Sequence, residues 1–283
     1  MNVLRGITWP YAVIALIAVA AASFGLLTPQ LAAAGVPGFT LSATDRIKQS
    51  PPPALFSDAE IAPAGKLADA QRTTADALFA QWKKAHGTAR DDKAFAAWAA
   101  RQIPAPPAAK QRTAELRQVQ ALAKTRTAAG KQAATWLELN GKSDVWKLYL
   151  HDRSELVPAA KGTAEKTGLK AALKMAKTIC DQLAAKDQQP APYVLDPTLR
   201  PDKHTKPGAK GPYSYPSRHA ARSAAAVTFL SALAPHRAGE YEWMRAEVLY
   251  SRLYMAGHVT SDLAAGTLLG DLIGDYELTV GGH

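Results

Sequence analysis

Past residue 57 the apolar residues of this chain recur at intervals of three and four. Leu116, Val119, Leu122 and Ala123 make one such stripe, and Leu169, Leu173, Ala176, Ile179, Cys180 and Leu183 make another. This spacing sets side chains on one face of an α-helix. The same reading predicts helices over about 58–86, 91–102, 144–156, 218–234, 238–256 and 261–278. Alanine supplies much of the apolar content and aromatics only 7%, which favours close-packed helices over sheets. Prolines at 190, 192, 197, 201, 207 and 212 rule out a continuous helix up to Pro216. With no internal repeat, residues 58–283 are expected to form one all-α domain, a single helical bundle with a substantial core.

Ahead of that domain the pattern changes. After Arg5 the chain is predominantly apolar from Ile7 to Leu27, and Ala32-Ala33-Ala34 follows. Such a run suits a cleaved export signal, and it is equally long enough for one uncleaved membrane span. Residues 1–34 are therefore expected to be a signal peptide or an N-terminal anchor, with membrane association through residues 7–27. Either places the remainder outside the cytoplasmic membrane, periplasmic or secreted. Residues 35–57 contain Pro37, Gly38 and Pro51-Pro52-Pro53 and read as an extended Pro-rich linker.

Charge narrows the partners. Lys and Arg number 34 against 24 Asp and Glu, a net charge of +10. The positive charge is spread thinly, as in Lys83-Lys84, Lys203-His204 and Lys206, without the basic run or stacking motif that nucleic-acid binding shows. Small anions are the expected partners. Cys180 is the only cysteine, which excludes a disulfide scaffold, and its place on an apolar stripe makes it a core residue. Alanine-rich helix faces permit a homodimer.

Polar residues then appear where helix geometry calls for apolar ones. In the helix opening at Ser261, Asp262 falls on the stripe of Ala265, Leu269, Leu272, Ile273 and Tyr276, whereas Asp271 points to the opposite side. A carboxylate facing inward needs a partner. His258 lies four residues earlier, after Gly257, which suits a left-handed helix stop. Asp262 is expected to accept an N–H from His258 and fix its tautomer, leaving the other ring nitrogen as nucleophile or base. Ser251 and Arg252 sit on or beside the preceding stripe. Pro216-Ser217-Arg218-His219 opens another helix, with Ser217 as its cap and His219 inward. Two helix starts suit an anion, and Arg200 and Arg252 offer bidentate contacts to phosphate oxygens.

Together these residues resemble the type 2 phosphatidic acid phosphatase (PAP2) superfamily, which includes class A acid phosphatases and vanadium-dependent haloperoxidases. Its pattern runs K-x6-R-P, P-S-G-H, S-R-x5-H-x3-D. Ser251, Arg252, His258 and Asp262 match every fixed position of the third part. Pro216-Ser217-Arg218-His219 matches the second with Arg for Gly, and Arg200-Pro201 ends the first, with Tyr193 where the family has Lys. The resemblance implies a PAP2/haloperoxidase-type fold and no cofactor or metal for phosphatase chemistry. It also implies that His258 attacks phosphorus to form a phosphohistidine, that Asp262 orients it, and that His219 protonates the leaving oxygen. Arg200, Ser217, Arg252 and the backbone N–H of Arg218 would hold the phosphoryl oxygens, with the Arg218 side chain as an added contact.

An exported phosphomonoesterase is the leading expectation. A vanadate-dependent haloperoxidase and a non-catalytic phosphate-binding domain are the alternatives. The charges Arg222, Glu240, Glu242, Arg245, Glu247, Asp271 and Asp275 imply a water-facing domain, which favours soluble phosphate esters while leaving lipid phosphates open.

Overall fold

A computed structural model describes residues 41–200 and 212–282 of the chain. The signal or anchor segment, the first part of the linker, and Pro201, Lys203, His204 and Lys206 lie outside the described residues. The chain divides into two units, Met1–Pro51 and Pro52–His283. In the first, helix α1 spans Ala43–Gln49. The Oγ of Ser42 caps it, accepting the Asp45 N–H at 3.1 Å. The linker expected over 35–57 is therefore not extended throughout. A cap residue followed by a proline-free stretch is enough to form about two turns of helix.

The second unit contains α2 (Asp58–His86), α3 (Asp92–Gln102), α4 (Ala109–Ala123), α5 (Ala128–Asn140), α6 (Asp144–Ser154), α7 (Ala159–Asp187), α8 (Pro192–Leu195), α9 (Arg218–Leu233), α10 (Ala238–Tyr254) and α11 (Thr260–Gly281). The all-α expectation holds. Among the described residues there is no strand, only an isolated bridge between Pro190 and Tyr213. The predicted helices appear within a few residues of their expected ends. The linker's last residues also belong to the domain. Phe56 is buried, with its ring 4.7 Å from that of Tyr250 and 4.9 Å from that of Tyr254.

Helix α11 is the centre, buried along nearly its whole length and flanked by α9, α2 and α7. Its glycines explain how close α9 comes. A Cβ on Gly266 would collide with the backbone oxygen of Ser217, and one on Gly270 with that of Ala221. Helix α9 presents Ala220, Ala221, Ala224 and Ala225, all fully buried, on the facing surface. Small residues on both sides let the two backbones touch. Below this seam Phe95 stacks on Tyr276 with centroids 3.9 Å apart, and Phe79 and Trp82 close the core. A fully buried aromatic of this kind contributes about 2–3 kcal/mol. Cys180 is buried in the same cluster, and burial pushes its thiol up to about 12.

Two sequence expectations change. Helix α5 was not anticipated, because its Gly130 and Lys131 interrupt any clear stripe. It forms because Thr127 caps it through a 3.0 Å bond to the Gly130 N–H. The glycine leaves room for the Tyr254 hydroxyl, which accepts the Thr127 N–H at 2.7 Å. The water-facing surface expected from the charges of α10 and α11 is only partly present. Arg245, Glu247 and Asp271 are buried, since α11 is covered on the side opposite Asp262 as well. Asp271 accepts the Thr228 hydroxyl at 2.8 Å and lies 3.7 Å from Arg245 and 3.9 Å from Arg72. Burial pushes its carboxyl up to about 6 despite both arginines.

Candidate functional site

Helices α9 and α11 begin side by side. The Ser217 N–H donates to the Asp262 carbonyl oxygen at 2.9 Å, and the Ser217 Oγ caps α9 by accepting the Ala220 N–H at 3.3 Å. His219 follows in the first turn, only 8% exposed. The turn that brings His258 to the same place starts at Ala256, whose φ of 54° makes it the left-handed residue. The sequence reading gave that role to Gly257. A buried alanine accepts this conformation at a cost of roughly 1–2 kcal/mol, because the Gly257 N–H can then return to the Arg252 carbonyl at 3.0 Å.

The environment of His258 differs from the expected one in a telling way. Its Nδ1 lies 2.9 Å from the Ser214 carbonyl oxygen and 3.7 Å from Asp262 Oδ2. A carbonyl oxygen only accepts, so Nδ1 carries the proton and Nε2 keeps a free lone pair. Ser214, not Asp262, therefore fixes the tautomer. Asp262 is fully buried and stands behind the ring as a charge. It is tied down elsewhere. Oδ2 accepts the Val259 N–H at 3.0 Å, and Oδ1 accepts from Arg112 at 2.5 Å. Burial raises its carboxyl, but His258 and Arg112 bring it below the usual carboxylate range.

Arg112 comes from α4, and sequence reasoning missed it. It also donates to the Pro190 carbonyl at 2.9 Å and the Ser214 Oγ at 2.7 Å, so one guanidinium ties Asp262 to the segment that orients His258. Glu115, one turn on, accepts the Ser261 hydroxyl at 2.7 Å. A signal was available: Arg112, Glu115 and Val119 share one face at helical spacing and are all buried. Polar residues on a core stripe mark partners for other buried polar groups.

On the other side stands the end of α5. Arg252, 2% exposed, donates to the Ser251 Oγ at 3.1 Å and the Ala134 carbonyl at 3.2 Å. Its guanidinium is in contact with the Glu138 carboxylate. Burial lowers the pKa of Arg252, and that carboxylate offsets the cost of its charge. His219 Nε2 lies 3.2 Å from the Glu138 carbonyl oxygen and 3.7 Å from its Oε2. The imidazole of His219 titrates well below the usual histidine range. Burial is the main cause, followed by the positive charge of Lys142, the neighbouring His258 and the positive charges of Arg222 and Arg218. The two imidazoles are thus close enough to influence each other. Lys142, two residues past α5, is half-buried and its own pKa is lowered by burial and by Arg222 and Arg218. Neither Glu138 nor Lys142 was anticipated from sequence.

Not every expected phosphate contact gathers here. The Arg218 side chain pairs with Asp181 of α7 at 2.8 Å and is 43% exposed, although its charge still bears on His219. Arg200 is exposed after the 3₁₀ turn Pro197–Leu199, with its charge bearing on the Tyr193 phenol. Tyr193, at the motif lysine's position, is half-buried, and its N–H donates to the Ala256 carbonyl at 3.3 Å. The backbone N–H groups that open α9 at Arg218 and His219 remain at the cluster. Among the described residues no group of three or more His, Cys, Asp or Glu could hold a metal ion, and no helix is long and apolar enough to cross a membrane.

Comparison with curated proteins gives no match, and neither does comparison with solved structures. A family model does match, that of the PAP2 superfamily, over residues 171–276. The matched stretch runs from α7 to the last turns of α11 and holds both histidines, Arg252 and Asp262, whereas Arg112, Glu138 and Lys142 lie outside it. The match over this stretch supports membership of the PAP2 superfamily.

Proposed function

We propose that the protein is a phosphatase that hydrolyses phosphate monoesters through a phosphohistidine on His258. The superfamily match supports a phosphatase-type or related function. One observation carries the finer reading: Nδ1 of His258 is bonded to the Ser214 carbonyl with buried Asp262 behind it. That arrangement leaves Nε2 unprotonated and supplies a negative charge beside the ring. In the first step the Nε2 lone pair bonds to phosphorus while the P–O bond to the alcohol breaks, and His219 gives the departing oxygen a proton. The imidazole becomes cationic, and Asp262 stabilises that charge without moving. In the second step His219 takes a proton from water, whose oxygen displaces His258 and releases inorganic phosphate. Arg252, Lys142 and the N–H groups at the start of α9 neutralise and position the phosphoryl oxygens. Lys142 then supplies the cation that Tyr193 cannot. The apolar run over residues 7–27 supports export of the domain from the cytoplasm.

Rates of hydrolysis of a chromogenic aryl phosphate by the wild-type chain and by His258→Ala test the proposal. A loss of at least about 10³-fold is expected, with a phosphoryl adduct trapped by acid-free quenching in the wild type only. Vanadate, which mimics five-coordinate phosphorus, should inhibit. Equal rates in the two proteins would remove His258 as nucleophile.

A further inference from the structure

The guanidinium that would receive a phosphoryl oxygen already holds an anion. Arg252 touches the Glu138 carboxylate, and the same residue presents its backbone carbonyl 3.2 Å from His219 Nε2. One residue of α5 thus engages both the group expected to hold the phosphoryl and the group expected to protonate the leaving oxygen. We propose that Glu138 is a built-in occupant of the phosphoryl subsite, which a substrate has to displace. The proposal rests on the phosphatase reading above and concerns the regulation of that same site.

Two observations favour displacement over a fixed brace. Carboxylate and phosphoryl oxygens offer a guanidinium the same charge-assisted acceptors, so a phosphoryl group arriving at Arg252 leaves no charge unpaired. The partners also differ in freedom. The Arg252 side chain is 3% exposed and is pinned by Ser251 and Ala134, whereas that of Glu138 is 25% exposed. The carboxylate can swing toward water and the guanidinium cannot follow. A residue that must be expelled lowers apparent affinity by the fraction of time the subsite is open. It also favours dianionic monoesters over singly charged diesters, because the newcomer has to replace a full negative charge and still bond the nearby N–H groups.

The test is calorimetric titration of the full-length chain with inorganic phosphate, wild type against Glu138→Gln and Glu138→Asp, alongside KM for an aryl phosphate. Removing the charge should tighten phosphate binding at least about tenfold and lower KM in parallel. Withdrawing it by one methylene should give a smaller change of the same sign. If Glu138→Gln does not give a cooperative thermal transition, Glu138→Asp decides by the same criterion. Unchanged or weaker phosphate binding by a folded variant, with hydrolysis retained in the wild type, overturns this proposal alone and makes Glu138 a brace for Arg252. Absence of both phosphate binding and hydrolysis in the wild type overturns the phosphatase reading and this proposal with it.

Discussion

The Asp262 carboxylate accepts a 2.5 Å bond from the Arg112 guanidinium, joining the first turn of α11 to α4. Both side chains are buried, 8% exposed for Arg112 and 0% for Asp262. Their pairing is what allows a carboxylate to stay ionised behind His258. Arg112→Met would leave that charge alone in the interior. We expect a stability loss of about 3–5 kcal/mol in urea denaturation, and a fall in kcat of about 10² or more. Arg112→Lys keeps the charge without the fork and should lie between.

Lys142 and His219 are coupled by charge. Lys142 lowers the His219 pKa, so Lys142→Met should raise it. The acid form of His219 then persists to higher pH, and the alkaline limb of the kcat/KM profile moves upward. The plateau itself should fall about tenfold, since one phosphoryl contact is lost. A pH series on the two proteins measures both. A lower plateau with the limb unmoved would assign Lys142 to binding alone.

Gly266 faces the Ser217 backbone oxygen, and a Cβ there would also lie 2.9 Å from the Ala220 Cβ. Gly266→Ala forces the start of α9 away from α11. Overpacking of this kind costs about 1–3 kcal/mol and displaces His219 relative to His258. Thermal melting should register the first effect and a drop in kcat the second. Gly239→Ala, where nothing lies within 4 Å, is the control that should change neither.

Glu247 gives a pH-dependent stability. Burial raises its carboxyl from 4.5 to about 7, and the Phe56 N–H at 3.3 Å lowers it only in part. Below about pH 4.5 folded and unfolded chains both hold the proton. As pH rises toward 7 the unfolded chain releases it first, so this residue's contribution to stability declines over that window and is flat above it. Glu247→Gln lacks the decline. From pH 5 to pH 8 the variant should gain on the order of 2 kcal/mol relative to wild type in denaturant titrations.

The helical frame was legible because apolar residues in α7, α9, α10 and α11 keep a regular period, and because Ser217 and the prolines punctuate it. The histidines, Asp262 and Arg252 stood out as polar residues on those stripes. What escaped was tertiary. Arg112 shows as a polar residue on a core stripe, but neither it nor Glu138 reveals locally that α4 and α5 deliver them to the start of α11 and the end of α10. The Ser214 carbonyl that holds His258 is a backbone atom, invisible to any reading of residue types. Arg245 and Asp271 were assigned to solvent because a charged pair looks the same in sequence whether it meets water or its partner. Arg218 carried no sign that Asp181 would claim it.

The backbone bond from Ser217 to Asp262 and the glycine seam behind it make the two histidine-bearing turns one rigid jaw. The backbone at either helix start cannot shift without disturbing the other. Adaptation to a bulkier or smaller leaving group is thereby pushed onto the movable edge formed by the end of α5, where a side chain can change without shifting the hinge of the chemistry.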